Sequence, residues 1–270
     1  MHPRFPLFGA ALGLALLAVS PLPAAEMPPV YDLEARMGAP AATVTVYEPH
    51  LSVGDEHVAV DYVGYPAVDV MARLFGPDWR SEAETIEFRA LDGYVSRLPV
   101  ERFLTEGAFI VFARGDGSPF TVDNLAQNET DVPLGPYYLV WDNIGNAALL
   151  EEGARNWPYQ VAEVNLVTLS DAALLPNGLD ARFHEGAALA KTHCLSCHLV
   201  NGYGGEKFEA NLAEITKVYD EAEFISLVLA PLSVLEETTM PPLSDRLDEE
   251  ERQRIAKALF DYLVALPVLE

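Results

Sequence analysis

The sequence predicts a two-domain protein, multidomain in fold class, in which a β-rich α+β domain is followed by a small all-α domain. Residues 42–170 contain short apolar runs separated by Gly, Pro and Asx turns, which is typical of strands. Residues 179–270 instead carry apolar side chains at helical spacing. A chain of 270 residues is long for one domain and comfortable for two, and its 50% hydrophobic content is enough for ordinary cores.

The N-terminus has the composition of an export signal. Arg4 precedes an apolar run from Phe5 to Val19, and Pro23-Ala24-Ala25 supplies small residues for cleavage. We therefore expect residues 1–25 to be a signal peptide, and we expect the mature chain to be periplasmic with no transmembrane segment. An uncleaved anchor is the alternative, although the run is shorter than the roughly 20 apolar residues that span a bilayer. Residues 26–41 are rich in Pro and Ala and predict a flexible lead-in.

The clearest element of the β-rich region is a hairpin, with strands at 86–90 and 94–98 joined by the Asp92-Gly93 turn. An apolar stripe predicts a short helix over 68–75. Further apolar strands are predicted at 109–113, 137–141 and 161–169. The tryptophans are expected in the core or an interface, and they are Trp79, Trp141 and Trp157.

Three helices are predicted in the C-terminal region, after a linker over 170–177. Asp180 can cap a helix that runs through Ala190, and Asp220 can cap a second helix that Pro231 stops. Asp248 and the glutamate three residues later resemble a capping box at the start of the last helix. The apolar stripe of that helix is Ile255, Leu259, Tyr262, Leu263 and Leu266.

The run Cys194-Leu195-Ser196-Cys197-His198 carries the chemistry of the chain. Two thiols three positions apart can bind both vinyl groups of a haem as thioethers, and the adjacent imidazole can then ligate the iron from the proximal side. A structural zinc site would need two more Cys or His ligands, but the chain has two cysteines and no histidine after His198. A redox dithiol is expected where a strand meets a helix, whereas the residues before Cys194 favour a helix. The motif therefore predicts one covalent haem c.

With these elements, residues 179–270 resemble a class I c-type cytochrome, in which a helix ends in C-x-x-C-H, a Gly-rich loop follows, and an amphipathic helix closes the domain. The resemblance implies a class I cytochrome c fold and a distal methionine ligand that is followed by proline. Met240-Pro241 fits this pattern, because Met240 is the only methionine beyond Met71 and lies outside the helical stripes. The predicted iron ligands are therefore His198 and Met240. A thioether ligand favours ferrous iron and raises the reduction potential.

The N-terminal region has a weaker resemblance, carried by Ile86–Tyr94, Leu98-Pro99, Gly135–Trp141 and Trp157–Val161. Residues 45–170 resemble the molybdopterin-binding domain of the sulfite-oxidase type, which binds molybdenum through a cysteine thiolate. This region contains no cysteine. We therefore expect either no molybdenum cofactor, so that molybdopterin is absent, or a degenerate fold used for docking.

Other polar residues of this region are expected to have structural roles. His50 and His57 are expected to be surface or partly buried histidines rather than metal ligands. The polar run Asp123–Asn128 is expected to serve loop geometry. No catalytic residue is predicted from either group.

The charge of the chain indicates the kind of partner. The formal net charge is −24, and removal of residues 1–25, which contain one arginine and no acid, gives −25. Such a surface disfavours nucleic acid and favours a redox partner with a basic docking surface, and solubility alone is the alternative explanation of the charge. The sequence thus predicts a mono-haem electron carrier between a dehydrogenase and an acceptor rather than a catalyst. The alternatives are the electron-accepting part of an oxidoreductase whose N-terminal domain binds substrate or molybdopterin, and a haem-based sensor.

Overall fold

The computed structural model describes residues 24–52, 56–168, 170–244 and 247–269. The predicted signal peptide falls outside the described residues except for its last two positions. Ala24 and Ala25 belong to a short strand, Ala24–Glu26, which pairs antiparallel with Val161–Val167. Within the described ranges, no helix has the length and apolar character needed to cross a membrane.

Two four-stranded antiparallel sheets and a separate two-stranded ladder make up the strand content of residues 24–167. In chain order the strands are β1 (Ala24–Glu26), β2 (Ala42–Tyr47), β3 (Ala59–Pro66), β4 (Thr85–Ala90), β5 (Val95–Pro99), β6 (Ala108–Arg114), β7 (Thr121–Asn124), β8 (Glu129–Pro133), β9 (Tyr138–Trp141) and β10 (Val161–Val167). The first sheet has the order β1-β10-β4-β5, the second sheet has the order β2-β3-β6-β9, and β7 pairs with β8 in the separate ladder. Helices of six to nine residues connect them, namely α1 (Val30–Met37), α2 (Ala67–Phe75), α3 (Val100–Thr105) and α4 (Ala147–Glu152).

The elements predicted in this region are confirmed where the structure describes them. The hairpin is formed by β4 and β5, the short helix is α2, and the predicted apolar strands correspond to β6, β9 and β10, with Leu169 outside the described residues. All three tryptophans are buried in one hydrophobic cluster that also holds residues of both sheets. Local sequence patterns were sufficient to predict these elements because the buried side chains of a helix or a strand recur at the period of that element.

The flexible lead-in is a wrong prediction. Residues 30–37 form α1, whose Leu33 is fully buried in the cluster beneath the sheets. The helix ends at Gly38, which adopts φ +66° and donates its N–H to the carbonyl of Glu34. An eight-residue helix with one fully buried side chain leaves too short a pattern for periodicity to reveal.

Residues 171–269 surround a second hydrophobic cluster. Their helices and strands are α5 (His184–His193), β11 (Leu199–Val200), β12 (Tyr203–Gly204), α6 (Leu212–Ile215), α7 (Glu221–Leu229), α8 (Pro231–Val234) and α9 (Glu249–Ala265). Asp220 forms a full capping box with Glu223 at the start of α7, and Asp248 accepts the N–H of Glu251 at the start of α9. The predicted apolar stripe of α9 is buried throughout.

The predicted fold class is nevertheless wrong, because the residues that the structure describes show no small all-α class I cytochrome c domain. The molecule is β-rich with several sheets, and its helices are short and scattered; of those after residue 180, only the 17-residue α9 exceeds ten residues. Where the sequence pattern predicted helices and loops, β11 and β12 form a two-stranded ladder around the Asn201-Gly202 turn. Both turn residues adopt positive φ, which directs the chain back on itself.

The contact between α5 and α9 fixes the direction of the chain as it enters the CLSCH run. Gly186 lies directly against α9, and a Cβ at this position would stand 2.3 Å from Cβ of Tyr262 and 2.8 Å from the Ala258 carbonyl oxygen. The Tyr262 hydroxyl donates a hydrogen bond of 2.9 Å to the carbonyl of Leu174. The two helices can approach this closely only because Gly186 has no side chain.

Candidate functional site

The CLSCH run continues α5 as a tight turn. The N–H of Cys194 donates to the Ala190 carbonyl at 2.9 Å, and the N–H groups of Cys197 and His198 both donate to the Cys194 carbonyl, at 3.2 and 3.0 Å. Leu195 is buried in the C-terminal cluster and anchors the turn, while both thiols and the imidazole remain half-buried. The structure therefore brings Cys194, Cys197 and His198 together at the end of a helix.

The segment after the motif folds back onto it. The N–H of Gly205 donates to the carbonyls of Leu195 and His198, at 2.9 and 3.1 Å, and the N–H of Phe208 donates to the Cys197 carbonyl at 3.2 Å. The ring of Phe208 stacks on the imidazole of His198 with centroids 5.1 Å apart. These contacts hold the backbone of the motif against the segment that contains Gly205 and Phe208, and they fix the plane of the imidazole.

Burial sets the protonation states of the three groups. It raises the pKa of the Cys194 thiol to about 12, with a further contribution from Cys197. Burial also raises the pKa of the Cys197 thiol to about 11, which Lys207 opposes and Asp92 supports. Thiols of this kind are protonated at neutral pH, whereas a redox dithiol needs a thiolate. Burial lowers the pKa of His198, so the imidazole is neutral, which is the form that ligates a metal.

The two ring nitrogens of His198 are not equivalent. Nδ1 is buried and has no hydrogen-bond partner in the part of the chain that the structure describes. A ligating histidine normally donates its second N–H to an acceptor, so the ring orientation here depends on Phe208 and on burial. Across the described ranges, no group of three or more His, Cys, Asp or Glu side chains is arranged to hold a metal ion. A haem iron with one His and one Met ligand does not need such a group.

Met240 lies in the loop between α8 and α9. Its side chain is half-buried and packs against the same hydrophobic cluster that Cys194 contacts, and its N–H donates to the Thr238 hydroxyl at 3.1 Å. The exposed apolar side chains that precede Met240 are Leu232, Val234 and Leu235.

A buried polar network in the N-terminal region was missed by the sequence analysis. Glu48 is fully buried, and its carboxylate pairs with Nδ1 of His50 at 2.7 Å. The hydroxyl of Tyr62 donates to Oε2 of Glu48 at 2.7 Å, and the hydroxyl of Tyr138 donates to the same carboxylate at 3.0 Å. A histidine two residues after a glutamate at the end of an apolar strand was the available signal, but its partners are distant in sequence.

The other polar residues considered from the sequence have partners outside the CLSCH run. His57 is exposed and stacks on Tyr47 with centroids 4.9 Å apart, so it does not join His50. Asp123 accepts the N–H of Asp131 at 2.9 Å, and Asn124 donates to the hydroxyl of Tyr159 at 3.3 Å. These are the backbone and packing roles that Asp and Asn commonly have in turns.

Comparison of the chain with models of known protein families and with curated proteins finds no match. The functional assignment therefore depends on the chemistry of the site.

The Glu48 network gives a prediction for acid stability. Burial raises the pKa of Glu48, but the hydrogen bond and charge of His50 and the Tyr62 hydroxyl together hold it below its usual value. Because the carboxyl pKa is lower in the folded than in the unfolded chain, the ionised carboxylate stabilises the fold above the unfolded-state pKa of about 4.3. This stabilisation is lost as the pH falls through the folded-state pKa. Glu48→Gln should lower the free energy of unfolding at pH 7 by about 1–3 kcal/mol, because the amide replaces one acceptor oxygen and leaves a buried donor of the network without its partner.

Urea unfolding followed by tryptophan fluorescence between pH 3 and 7 measures this effect. The matched control is Glu163→Gln on β10, where the side chain is exposed and the change should be near zero. Equal stability of the two variants at pH 7, or an unchanged acid limb in Glu48→Gln, would contradict the prediction.

Proposed function

We propose that the protein is an electron carrier that holds one haem c covalently through Cys194 and Cys197. The observation that carries the proposal is the CLSCH run itself, because two thiols and an imidazole at this spacing match the attachment and ligation needs of a single haem. The proposal depends on this motif and its surroundings and not on a cytochrome fold. It includes export, since c-type haem is attached outside the cytoplasm.

The residues present fit such a group. Both thiols are half-buried and protonated, and addition of each S–H across a vinyl group would leave a neutral thioether, which burial does not disfavour. His198 is neutral, and Nε2 is the nitrogen that would bind iron, since Nδ1 is buried. Leu232, Val234 and Leu235 are each between 44% and 51% exposed, and a porphyrin beside Met240 would cover apolar surface of this kind.

The axial ligands determine what chemistry is available. When bound, the haem supplies a one-electron ferric–ferrous couple. His198 would bind the iron through an imidazole nitrogen, and the Met240 thioether, a soft ligand, would bind it as a second protein ligand and favour the ferrous state. If both residues bound the iron, no open position would remain there for a substrate, which favours electron transfer over peroxidase or oxygenase chemistry.

The acidic charge completes the proposal with a partner class. A net charge of −24 on the whole chain would attract a redox protein with a basic docking surface and repel nucleic acid. Steering of this kind raises the rate of encounter more than it raises affinity.

The covalent bond is tested with the two cysteines. Protein produced with a haem-attachment system should keep its haem through acid–acetone extraction, and the double variant Cys194→Ser/Cys197→Ser should lose it to the organic phase. Each single variant should keep one thioether, with the ferrous α-band at longer wavelength because one vinyl group stays conjugated. Ser196→Ala, inside the motif, is the control and should keep both thioethers. Extraction of haem from the wild type would refute the assignment.

The distal ligand is tested with Met240→Ala. The ferric protein should show the weak near-infrared charge-transfer band of Met-to-iron ligation, and the variant should lose this band, gain carbon monoxide binding and have a lower reduction potential. Met37→Ala, whose thioether packs in the N-terminal cluster, is the matched control and should keep the band. If Met240→Ala leaves the band and the potential unchanged, another residue ligates the iron.

The acidic partner surface is tested by salt dependence. Oxidation of the ferrous protein by the cation tris(phenanthroline)cobalt(III) should slow several-fold between about 0.01 and 0.15 M salt, over which the Debye length falls from about 30 to 8 Å. Oxidation by the anion hexacyanoferrate(III) should accelerate over the same range. Stopped-flow absorbance gives both rates, and two rates that do not respond to salt would limit the charge to a role in solubility.

A further inference from the structure

The turn of the β4–β5 hairpin lies directly on the CLSCH segment. The N–H of Val95 donates to the Ser196 carbonyl at 2.8 Å, and the N–H of Glu206 donates to the Gly93 carbonyl at 2.8 Å. One bond thus reaches the interior of the motif, and the other reaches the segment that folds back over it. Neither bond belongs to a strand ladder or a helix.

Two charged side chains of the hairpin strengthen the same contact. Asp92, which is exposed, pairs with the half-buried Lys207 at 2.9 Å. Arg97 pairs with the buried Glu87 at 2.8 Å, donates to the Gly204 carbonyl at 3.3 Å, and lies over the ring of Tyr203 with its guanidinium carbon 4.6 Å from the centroid. The N-terminal sheet therefore contacts both the backbone and the side chains of residues 203–207.

The hairpin turn and the CLSCH segment are in close backbone contact, with no room for an added side chain. A Cβ on Gly93 would stand 2.8 Å from the Glu206 carbonyl carbon and 2.9 Å from the Lys207 nitrogen. A Cβ on Gly205 would stand 2.0 Å from the Ser196 carbonyl oxygen and 3.1 Å from that of Gly93. Both sets of neighbouring atoms are backbone, which cannot move aside as the end of a flexible side chain can.

A displacement of this turn would be transmitted to His198, the candidate iron ligand, through a small number of hydrogen bonds. Gly205 donates to the His198 carbonyl, and Phe208, which stacks on the imidazole, donates to the Cys197 carbonyl. Movement of residues 205–207 would therefore change the support of His198 and of the ring that orients it. This route consists of hydrogen bonds and packing, and it does not require a change in α5 or α9.

We propose that the hairpin turn at residues 91–94 is a positioning element of the haem site, so that the N-terminal sheet sets the geometry of the CLSCH segment. Asp92 and Gly93 are its positioning residues. The inference deepens the proposed function and rests on it for the identity of the group, but the coupling between the turn and the segment can be measured separately.

The chain contains a matched control in a second Asp-Gly turn, which joins β6 to β7. Asp92 accepts the N–H of Tyr94 and Asp116 accepts the N–H of Ser118, both at 3.0 Å. Gly93 has φ +85° and Gly117 has φ +73°, so an alanine at either position would have the same kind of strain, that of a positive φ. A Cβ on Gly117 meets nothing within 4 Å.

The experiment compares Gly93→Ala with Gly117→Ala in the full haem-loaded protein. Amide hydrogen exchange at Gly205, Glu206 and Phe208 should be at least tenfold faster in Gly93→Ala than in the control, and only Gly93→Ala should shift the reduction potential. Asp92→Asn, which keeps the turn acceptor but removes the carboxylate that pairs with Lys207, should act in the same direction. Its control is Asp116→Asn, and this pair decides the outcome if Gly93→Ala fails to fold.

Unchanged exchange at these amides and an unchanged potential in both test variants would overturn the positioning role while leaving covalent haem in place. If the wild type carries no covalent haem, the proposed function fails, and the exchange comparison still decides whether the turn holds the CLSCH segment. Faster exchange confined to the Gly93 and Asp92 variants supports the inference in either case.

Discussion

The site depends on one constraint, which is that the backbone polar groups of a partly buried turn must find partners. The CLSCH segment belongs to neither a helix nor a sheet ladder, so the carbonyls that follow that of Cys194 are satisfied by N–H groups from elsewhere in the chain. Gly205 serves two of them, Phe208 serves one, and Val95 of the hairpin serves another. Several of these bonds require two backbone segments to approach so closely that a Cβ would clash. This requirement explains why Gly93 and Gly205 stand on the two sides of the contact.

This packing also sets the chemistry of the three motif side chains. The neighbours that satisfy the backbone partly bury the thiols and the imidazole, and burial disfavours their charged forms. The result is two neutral thiols and a neutral imidazole at one helix end. A thiolate mechanism would need the opposite environment, with nearby cations strong enough to lower the thiol pKa. Lys207 acts in that direction on Cys197, but its pairing with Asp92 offsets the effect.

The sequence was most informative where a pattern was local. The hairpin, the helix caps at Asp220 and Asp248 and the buried stripe of α9 follow from spacings within one element, and the structure has them where they were expected. The fold class was not predictable in this way. The ladder of β11 and β12 has two residues per strand, which is too short for any alternation to be visible. The Glu48 network joins residues 14 and 90 positions apart, a separation that no local pattern records.

Gly93 shows how one residue can satisfy a local and a distant requirement together. As part of an Asp-Gly hairpin turn it needs a left-handed backbone, which its φ of +85° provides. Asparagine also tolerates that conformation, so the turn alone does not require glycine. The second requirement is the approach of Glu206 and Lys207, whose backbone atoms leave no room for a Cβ. Turn geometry therefore explains the backbone conformation at this position, and the contact with the CLSCH segment explains why no side chain is accommodated there.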